Sequence, residues 1–184
     1  MRTFIAIELG PALSRQLEEE LARLRKLAPE VRWVKVDTLH LTLSFLGEMA
    51  DAGVPAVSAA LARVVSRHKP FTLRAQGSGT FGPFESPKVL WVALSGDLTA
   101  LGALQADLAG QLSALGYKPD FEVFEPHLTL ARSKHPRGDA ALARCAAAMR
   151  DTSFGDLPVR EVVLFHSLSG PDGMQYQAVA RHPL

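Results

Sequence analysis

The tetrapeptide His-Leu-Thr-Leu occurs twice, as His40-Leu41-Thr42-Leu43 and as His127-Leu128-Thr129-Leu130, with the two histidines 87 positions apart. Side chains alternate faces along a strand, so each copy presents an imidazole and a hydroxyl on one surface and two leucines on the other. Two such strands set opposite each other would converge two histidines and two hydroxyls on one small ligand. Histidine has an unperturbed pKa of about 6.5, so one ring can accept a proton while the other donates one. That pairing suits the opening of a phosphodiester ring, in which a base activates water and an acid protonates the departing alkoxide. Thr42 and Thr129 would donate hydrogen bonds to the non-bridging phosphate oxygens. The scheme calls for no metal and no other cofactor. A zinc site would need a third protein ligand, and none stands at helical or hairpin spacing beside either histidine. A single His-x-Thr in a strand is commonplace, but packing gives no reason to keep imidazole and hydroxyl in both copies of a repeat.

These side chains need strands to carry them. Residues 3–8, bounded by Gly10-Pro11, read as a strand, and Leu13, Leu17, Leu21 and Leu24 then recur at helical spacing. Arg32-Trp33-Val34-Lys35 is a brief extended piece and residues 40–46 the next strand. Val54, Val57, Leu61 and Val64 mark a second helix, and residues 71–75 and 88–95 are extended. The Gly/Pro/Ser-rich stretch from Gly77 to Pro87 is expected to be loop. Leu98, Leu101, Leu108, Leu112 and Leu115 give a third helix ending at Gly116, and Leu142, Cys145 and Met149 a fourth. Strands 160–167 and 174–181 flank a hairpin loop at Gly170-Pro171-Asp172-Gly173. The strand-helix unit starting at residue 3 matches the one starting at residue 89, displaced by roughly 86 positions, and two copies of so long a period read as a duplicated half-domain. Residues 1–184 are therefore expected to form a single domain of two pseudo-symmetric lobes.

Composition bounds the function. With 47% hydrophobic residues in 184 the chain can bury a real core, and 20 Lys plus Arg against 19 Asp plus Glu leaves a net charge of +1. A broad electrostatic grip on a long polyanion is excluded, since each neutralised phosphate needs about one cation; a nucleic-acid partner would be bound over a short stretch. One cysteine, Cys145, excludes a disulfide framework and a thiolate metal cluster, and favours a reducing compartment, the cytoplasm. Neither a secretory segment nor a membrane span is expected.

Flanked as Leu39-His40-Leu41-Thr42-Leu43-Ser44-Phe45-Leu46-Gly47-Glu48 and Pro126-His127-Leu128-Thr129-Leu130-Ala131-Arg132, the motifs resemble those of the two-histidine phosphoesterases, within them the RNA 2',3'-cyclic phosphodiesterase / 2'-5' RNA ligase family. Arg2-Thr3-Phe4-Ile5-Ala6, Arg32-Trp33-Val34, Val162-Val163-Leu164-Phe165-His166-Ser167 and Tyr176 extend the likeness over nearly the whole chain. The resemblance implies an α+β fold, bilobal by pseudo-two-fold duplication, with two antiparallel sheets facing a central cleft and helices outside. It further implies hydrolysis of 2',3'-cyclic phosphate ends to 2'-phosphomonoesters, with His40 as proton donor, His127 as proton acceptor, and Thr42 and Thr129 holding phosphate. The partners implied are RNA ends or small cyclic nucleotides, met by a monomer. The same acid and base would serve joining through a 2'-5' linkage, and a binding module without turnover is a third reading.

Around the motifs, Arg132 suits a phosphate oxygen, but strand parity puts it opposite His127 unless the strand bends there. Trp33 and Phe45 could stack on a base, although core packing is the expected role of both. Lys35, Lys134, His135 and Arg137 form a modest basic neighbourhood, while Phe165 and Tyr176 are expected in the core more than in the cleft. His68, His135, His166 and His182 are expected to be structural or on the surface, and Cys145 a buried inert thiol. Gly77-Ser78-Gly79 lacks the lysine of a phosphate-cradling loop.

Overall fold

The computed structural model describes residues 1–118, 121, 123–171 and 173–184. The elements run β1 (Arg2–Glu8), α1 (Pro11–Leu27), β2 (Arg32–Trp33), β3 (His40–Glu48), α2 (Val54–Val65), β4 (Phe71–Phe81), β5 (Val89–Gly96), α3 (Leu98–Ala114), β6 (His127–Arg132), α4 (Ala140–Met149), β7 (Ser153–Val159), β8 (Glu161–Gly170) and β9 (Gly173–Pro183). In α1, Leu13, Leu17, Leu21 and Leu24 form the buried face, Pro11 opens the first turn, and Arg25 and Lys26 close the last, where carbonyl dipoles favour cations. Asp97 and Asp139 cap α3 and α4 by accepting hydrogen bonds at 2.9 Å from the amides of Ala100 and Ala141.

Two antiparallel sheets result, in the orders β3-β1-β8-β9 and β2-β6-β5-β4-β7. Each motif strand lies beside the first strand of its repeat, β3 next to β1 and β6 next to β5. The helices cover the outer faces. Helices α2 and α3 pack on the first sheet, where Gln105 Nε2 donates to the Leu43 carbonyl at 3.4 Å, and α1 and α4 pack on the second, where Ser78 Oγ donates to the Ala146 carbonyl at 2.6 Å. The assignment is crossed: α1 follows a strand of the first sheet yet covers the second, and α3 does the reverse. One large buried cluster unites both outer faces, from Ile5 and Leu41 to Leu90 and Leu128. A separate small cluster of Phe4, Ala6, Val163 and Phe165 occupies the inner face of the first sheet.

Three expectations are corrected. Strand β4 does not stop at residue 75 but runs through Gly77 and Gly79 to Phe81. Gly77 takes φ +77° at the register shift between Ala75 and Ser78, so the bulge is absorbed by the one residue type that adopts that conformation without strain. At Gly79 a β-carbon would lie 2.2 Å from the Trp91 ring, so the missing side chain is what lets the indole lie across the strand. The loop shrinks to the residues between β4 and β5. Strand β7 was not foreseen, because Gly155 and Pro158 interrupt its pattern; it is the edge strand, where a missing ladder donor is tolerated. Leu98 and Leu115, at the two ends of α3, are exposed, and Leu104 takes a core place instead. Of the hairpin loop expected at residues 170–173, Asp172 lies outside the described residues.

The segment after β6 is tied to the one before β5: Ser133 and Asp139 amides donate to the Lys88 and Pro87 carbonyls, both at 2.9 Å. Gly138 sits in the middle with φ +87°, and a β-carbon there would meet the Ser86 carbonyl oxygen at 1.8 Å. Both neighbours are backbone and have little room to yield. Gly138→Ala is expected to destabilise the protein by about 2 kcal/mol or more, lowering Tm by roughly 5 °C or more in a thermal melt.

Candidate functional site

The side chains of His40 and His127 are held in the same way. His40 Nδ1 lies 2.9 Å from the Thr38 carbonyl and His127 Nδ1 lies 2.6 Å from the Glu125 carbonyl. A carbonyl can only accept, so Nδ1 carries the hydrogen in both rings and Nε2 is left to accept or donate a proton. Both acceptors stand two residues before their histidine, so the arrangement belongs to the motif itself.

Register gives the faces. Along β1 and β3, Glu8 pairs with His40, Ala6 with Thr42 and Phe4 with Phe45; along β5 and β6, Ala93 pairs with His127, Trp91 with Thr129 and Val89 with Arg132. Both ladders skip the motif's fourth residue, Leu43 in one and Leu130 in the other. A bulge adds one residue and reverses the parity that follows it. The sixth residue of each motif therefore returns to the face of the histidine and threonine. This corrects the parity expected of Arg132, which shares the face of His127 and Thr129. It also corrects Phe45, which is not core but 45% exposed, on the face of His40 and Thr42.

Around His40 the rings of Phe4, Tyr176 and Phe165 stand at 4.6, 5.1 and 6.3 Å between centroids, with Tyr176 edge-on. Around His127, Phe81 stands edge-on at 4.9 Å and Trp91 at 6.0 Å. Phe165, buried as expected, and the half-buried Tyr176 packed against it thus both border the site. They also line a cavity of about 310 Å³ beside His40, with Glu8, Ser14 and Thr38. His127, Thr129 and Arg132 are not part of that lining; they stand on the other sheet. The two motif strands nonetheless approach within 8 Å between Cα atoms, and Tyr176 of the first sheet feels the charge of Arg132 on the second. Burial raises the Tyr176 pKa, and the positive charges of Arg132 and Arg2 oppose that rise.

Burial among these rings pushes the His40 pKa down to about 4, against a smaller upward effect of the Thr38 hydrogen bond. Glu8, its register neighbour, does not pair with it, because Arg181 binds Glu8 and Glu161, each at 2.6 Å. Among the described residues, Trp91 Nε1 is the buried side-chain polar atom without a hydrogen-bond partner, and no three His, Cys, Asp or Glu side chains gather as a metal set. Trp33 is partly buried and packs against the core, its Nε1 donating to the Ala28 carbonyl at 2.8 Å. Lys134, His135 and Arg137 lie exposed just after β6, and Lys35 just after β2. His68 and His182 are engaged elsewhere, with Asp107 and Ser58. Cys145 is buried, which pushes its thiol up, as expected of an inert residue. Phe4, Phe81, Trp91 and Arg2 were missed. The alternation of Val89, Trp91 and Ala93 against Leu90, Val92 and Leu94 could have placed Trp91 on the site face, whereas Phe4 and Arg2 required knowing that β1 pairs with β3.

Two His-x-Thr strands with matched ring tethers, on two antiparallel sheets facing a cleft, define a two-histidine phosphoesterase. The chain belongs to the 2'-5' RNA ligase superfamily, whose model matches residues 13–171. It is 31% identical to an RNA 2',3'-cyclic phosphodiesterase of Thermus thermophilus, with 100% of this chain and 90% of that protein covered. A protein of the same description from Archaeoglobus fulgidus is 30% identical, with 96% and 97% covered. Among solved structures, Escherichia coli LigT complexed with 3'-AMP superposes with a TM-score of 0.76 at 26% identity, covering 100% of this chain and 96% of that one.

The His40 pKa makes stability depend on pH. In the unfolded chain the ring takes its proton near pH 6.5, but in the folded protein only near 4, so protons favour unfolding between those values. Stability is complete above pH 6.5 and falls as pH drops toward 4, by about 2 kcal/mol from His40 alone between pH 7 and 5. Urea melts at pH 7 and pH 5 check this: His40→Phe is expected to remove that part of the pH dependence.

Proposed function

We propose that this enzyme hydrolyses 2',3'-cyclic phosphate ends of RNA to 2'-phosphomonoesters, with His40 and His127 as its acid and base. The observation that carries the reading is the matched pair of imidazoles, each with Nδ1–H tied to a carbonyl and Nε2 presented beside a threonine of its own strand. The superfamily and the phosphodiesterases it resembles support the reaction class.

His127 takes a proton from water, which attacks phosphorus in line with the 3' oxygen. His40 gives a proton to that oxygen as its bond to phosphorus breaks, leaving phosphate on the 2' oxygen. Thr42 and Thr129 donate hydrogen bonds to the non-bridging oxygens, where charge grows in the pentavalent transition state. Arg132 adds a guanidinium on the face of Thr129. A ring with a pKa of about 4 is neutral at pH 7, so the donor must gain its proton with the substrate. The negative phosphodiester beside Nε2 favours the imidazolium and supplies the reason for that uptake. The whole of residues 1–184 acts as one domain of two pseudo-symmetric lobes. It acts as a monomer, without metal or cofactor, on RNA ends or small cyclic nucleotides. It works in the cytoplasm, where a lone thiol stays reduced; no helix among the described residues is long and apolar enough to cross a membrane.

The family's own description favours joining of RNA ends through a 2'-5' linkage as a second reading, with a 5' hydroxyl in place of water. Product analysis at high RNA-end concentration separates the two directions.

His40→Ala and His127→Ala are each expected to lower kcat on a 2',3'-cyclic nucleotide by about 10²–10⁴, and Thr42→Ala or Thr129→Ala by about 10²–10³. Full activity in both histidine variants would refute the assignment. The roles are separated by an analogue with sulfur in place of the 3' oxygen, whose leaving thiolate needs no proton. His40→Ala is expected to recover turnover on it and His127→Ala is not; the opposite result exchanges donor and acceptor. Turnover is expected to survive a chelator, and kcat/KM to fall as pH rises above neutrality, because free His40 then holds a proton ever more rarely.

A further inference from the structure

Cross-strand neighbours in the second sheet carry opposite charges at one place and like charges at another. Arg74 of β4 faces Asp156 of β7 in register, and its Nε donates to that carboxylate at 3.2 Å. Arg32 of β2 faces Arg132 of β6 in register. The next pair along, Trp33 with Ala131, turns to the core, so Arg32 takes the opposite face and shares it with Arg132, Thr129 and His127. Residues directly opposite on antiparallel strands stand about 5 Å apart at their β-carbons, and like charges there cost stability. Both arginines are exposed, and among the described residues neither forms an ion pair with a carboxylate, although Arg23, Arg25, Arg67, Arg144 and Arg181 each have one. The pair belongs to the cleft rather than to a remote surface. From the first sheet, Arg2, Ser167 and Tyr176 form one row across β1, β8 and β9, and the charges of both Arg132 and Arg2 reach Tyr176, whose ring lies 5.1 Å from that of His40.

We propose that Arg32 and Arg132 form a second phosphate site, which holds the internucleotide phosphate on the 5' side of the terminal nucleotide while the cyclic phosphate lies at the two histidines. The inference rests on the phosphodiesterase reading and adds the substrate class that this part of the cleft selects, an oligonucleotide in place of a mononucleotide. An anion between the guanidiniums converts their repulsion into two attractions, and each planar fork can give two parallel N–H donors to phosphate oxygens. The two phosphates of the terminal nucleotide are separated by a single ribose. The second sheet offers side chains in the matching order: Thr129 beside the reacting phosphate, Arg132 further along the same face, and Arg32 one strand to the side. Arg132 thus serves both phosphates and Arg32 the second alone, which makes Arg32 the residue that tells one substrate from the other. With a net charge of +1 the chain has no broad basic face to follow a longer strand, so recognition reaches one phosphate beyond the reacting one and little further.

The test compares kcat/KM for three substrates in the wild type, Arg32→Ala and Arg32→Lys: 2',3'-cyclic AMP, adenylyl-adenosine 2',3'-cyclic phosphate, and that dinucleotide with a neutral methylphosphonate as its internucleotide link. In the wild type the charged dinucleotide is expected to exceed both other substrates, through KM. Arg32→Ala is expected to cut that advantage about 5- to 30-fold and to flatten the slope of log KM against log salt by about 0.7, the share of one phosphate contact in a single strand. Arg32→Lys keeps the charge without the fork and is expected to restore the salt slope. An equal loss on all three substrates would overturn the proposal, since Arg32 would then act by supporting Arg132. So would an advantage that the methylphosphonate retains, because it would belong to the second base. Binding of the 2'-phosphorylated dinucleotide to the same three proteins by calorimetry keeps the site and the reaction apart. If the wild type hydrolyses none of the substrates, the phosphodiesterase reading is wrong, yet weaker binding of that dinucleotide by Arg32→Ala still upholds the phosphate site and equal binding removes it.

Discussion

One hydrogen bond, made twice, sets up the chemistry of this protein: the donation from histidine Nδ1 to the carbonyl two residues earlier. It fixes which nitrogen carries the proton in the neutral ring and leaves the other to accept or donate one. Because donor and acceptor are two residues apart, the bond depends only on how the chain enters the strand. Leu39 precedes one ring in extended backbone and Pro126 the other with its φ fixed, so neither tether needs help from a distant element. What the rest of the fold supplies is the surroundings, and these differ. Rings strip His40 of water, and the ion pair of Glu8 with Arg181 withholds the carboxylate that would have offset that burial.

The bulges are the second shared device. A regular strand would have turned the sixth residue of each motif into the core, where neither Phe45 in an exposed role nor Arg132 as a guanidinium could serve. Skipping Leu43 and Leu130 keeps the first, third and sixth side chains of each motif on one face in five steps of chain, and both leucines remain fully buried. The duplication thus repeats a backbone irregularity along with a motif.

The motif, the period and most helices were legible in the sequence because they rest on local rules: alternation in strands, three- and four-residue spacing in helices, glycine after a helix end. Leu13 to Leu24 and the two His-x-Thr pairs are of this kind. What escaped depends on pairing between distant segments. The face taken by Arg132 and Phe45 follows from a bulge that no single-strand pattern reveals, and β7 hid because Gly155 and Pro158 are tolerated only at the edge of a sheet. Gly77 and Gly79 were read as breakers for the same reason. One accommodates a bulge and the other the indole of Trp91, and both partners lie on other strands.

The crossed helices have a thermodynamic consequence. Since α1 leaves the first sheet to cover the second, and α3 leaves the second to cover the first, each sheet is covered in part by a helix from the other repeat. Drawing the two repeats apart would take Leu17 and Leu21 from one outer core and Leu104 and Leu108 from the other, all of them fully buried, so burial of these leucines resists separation of the two sheets.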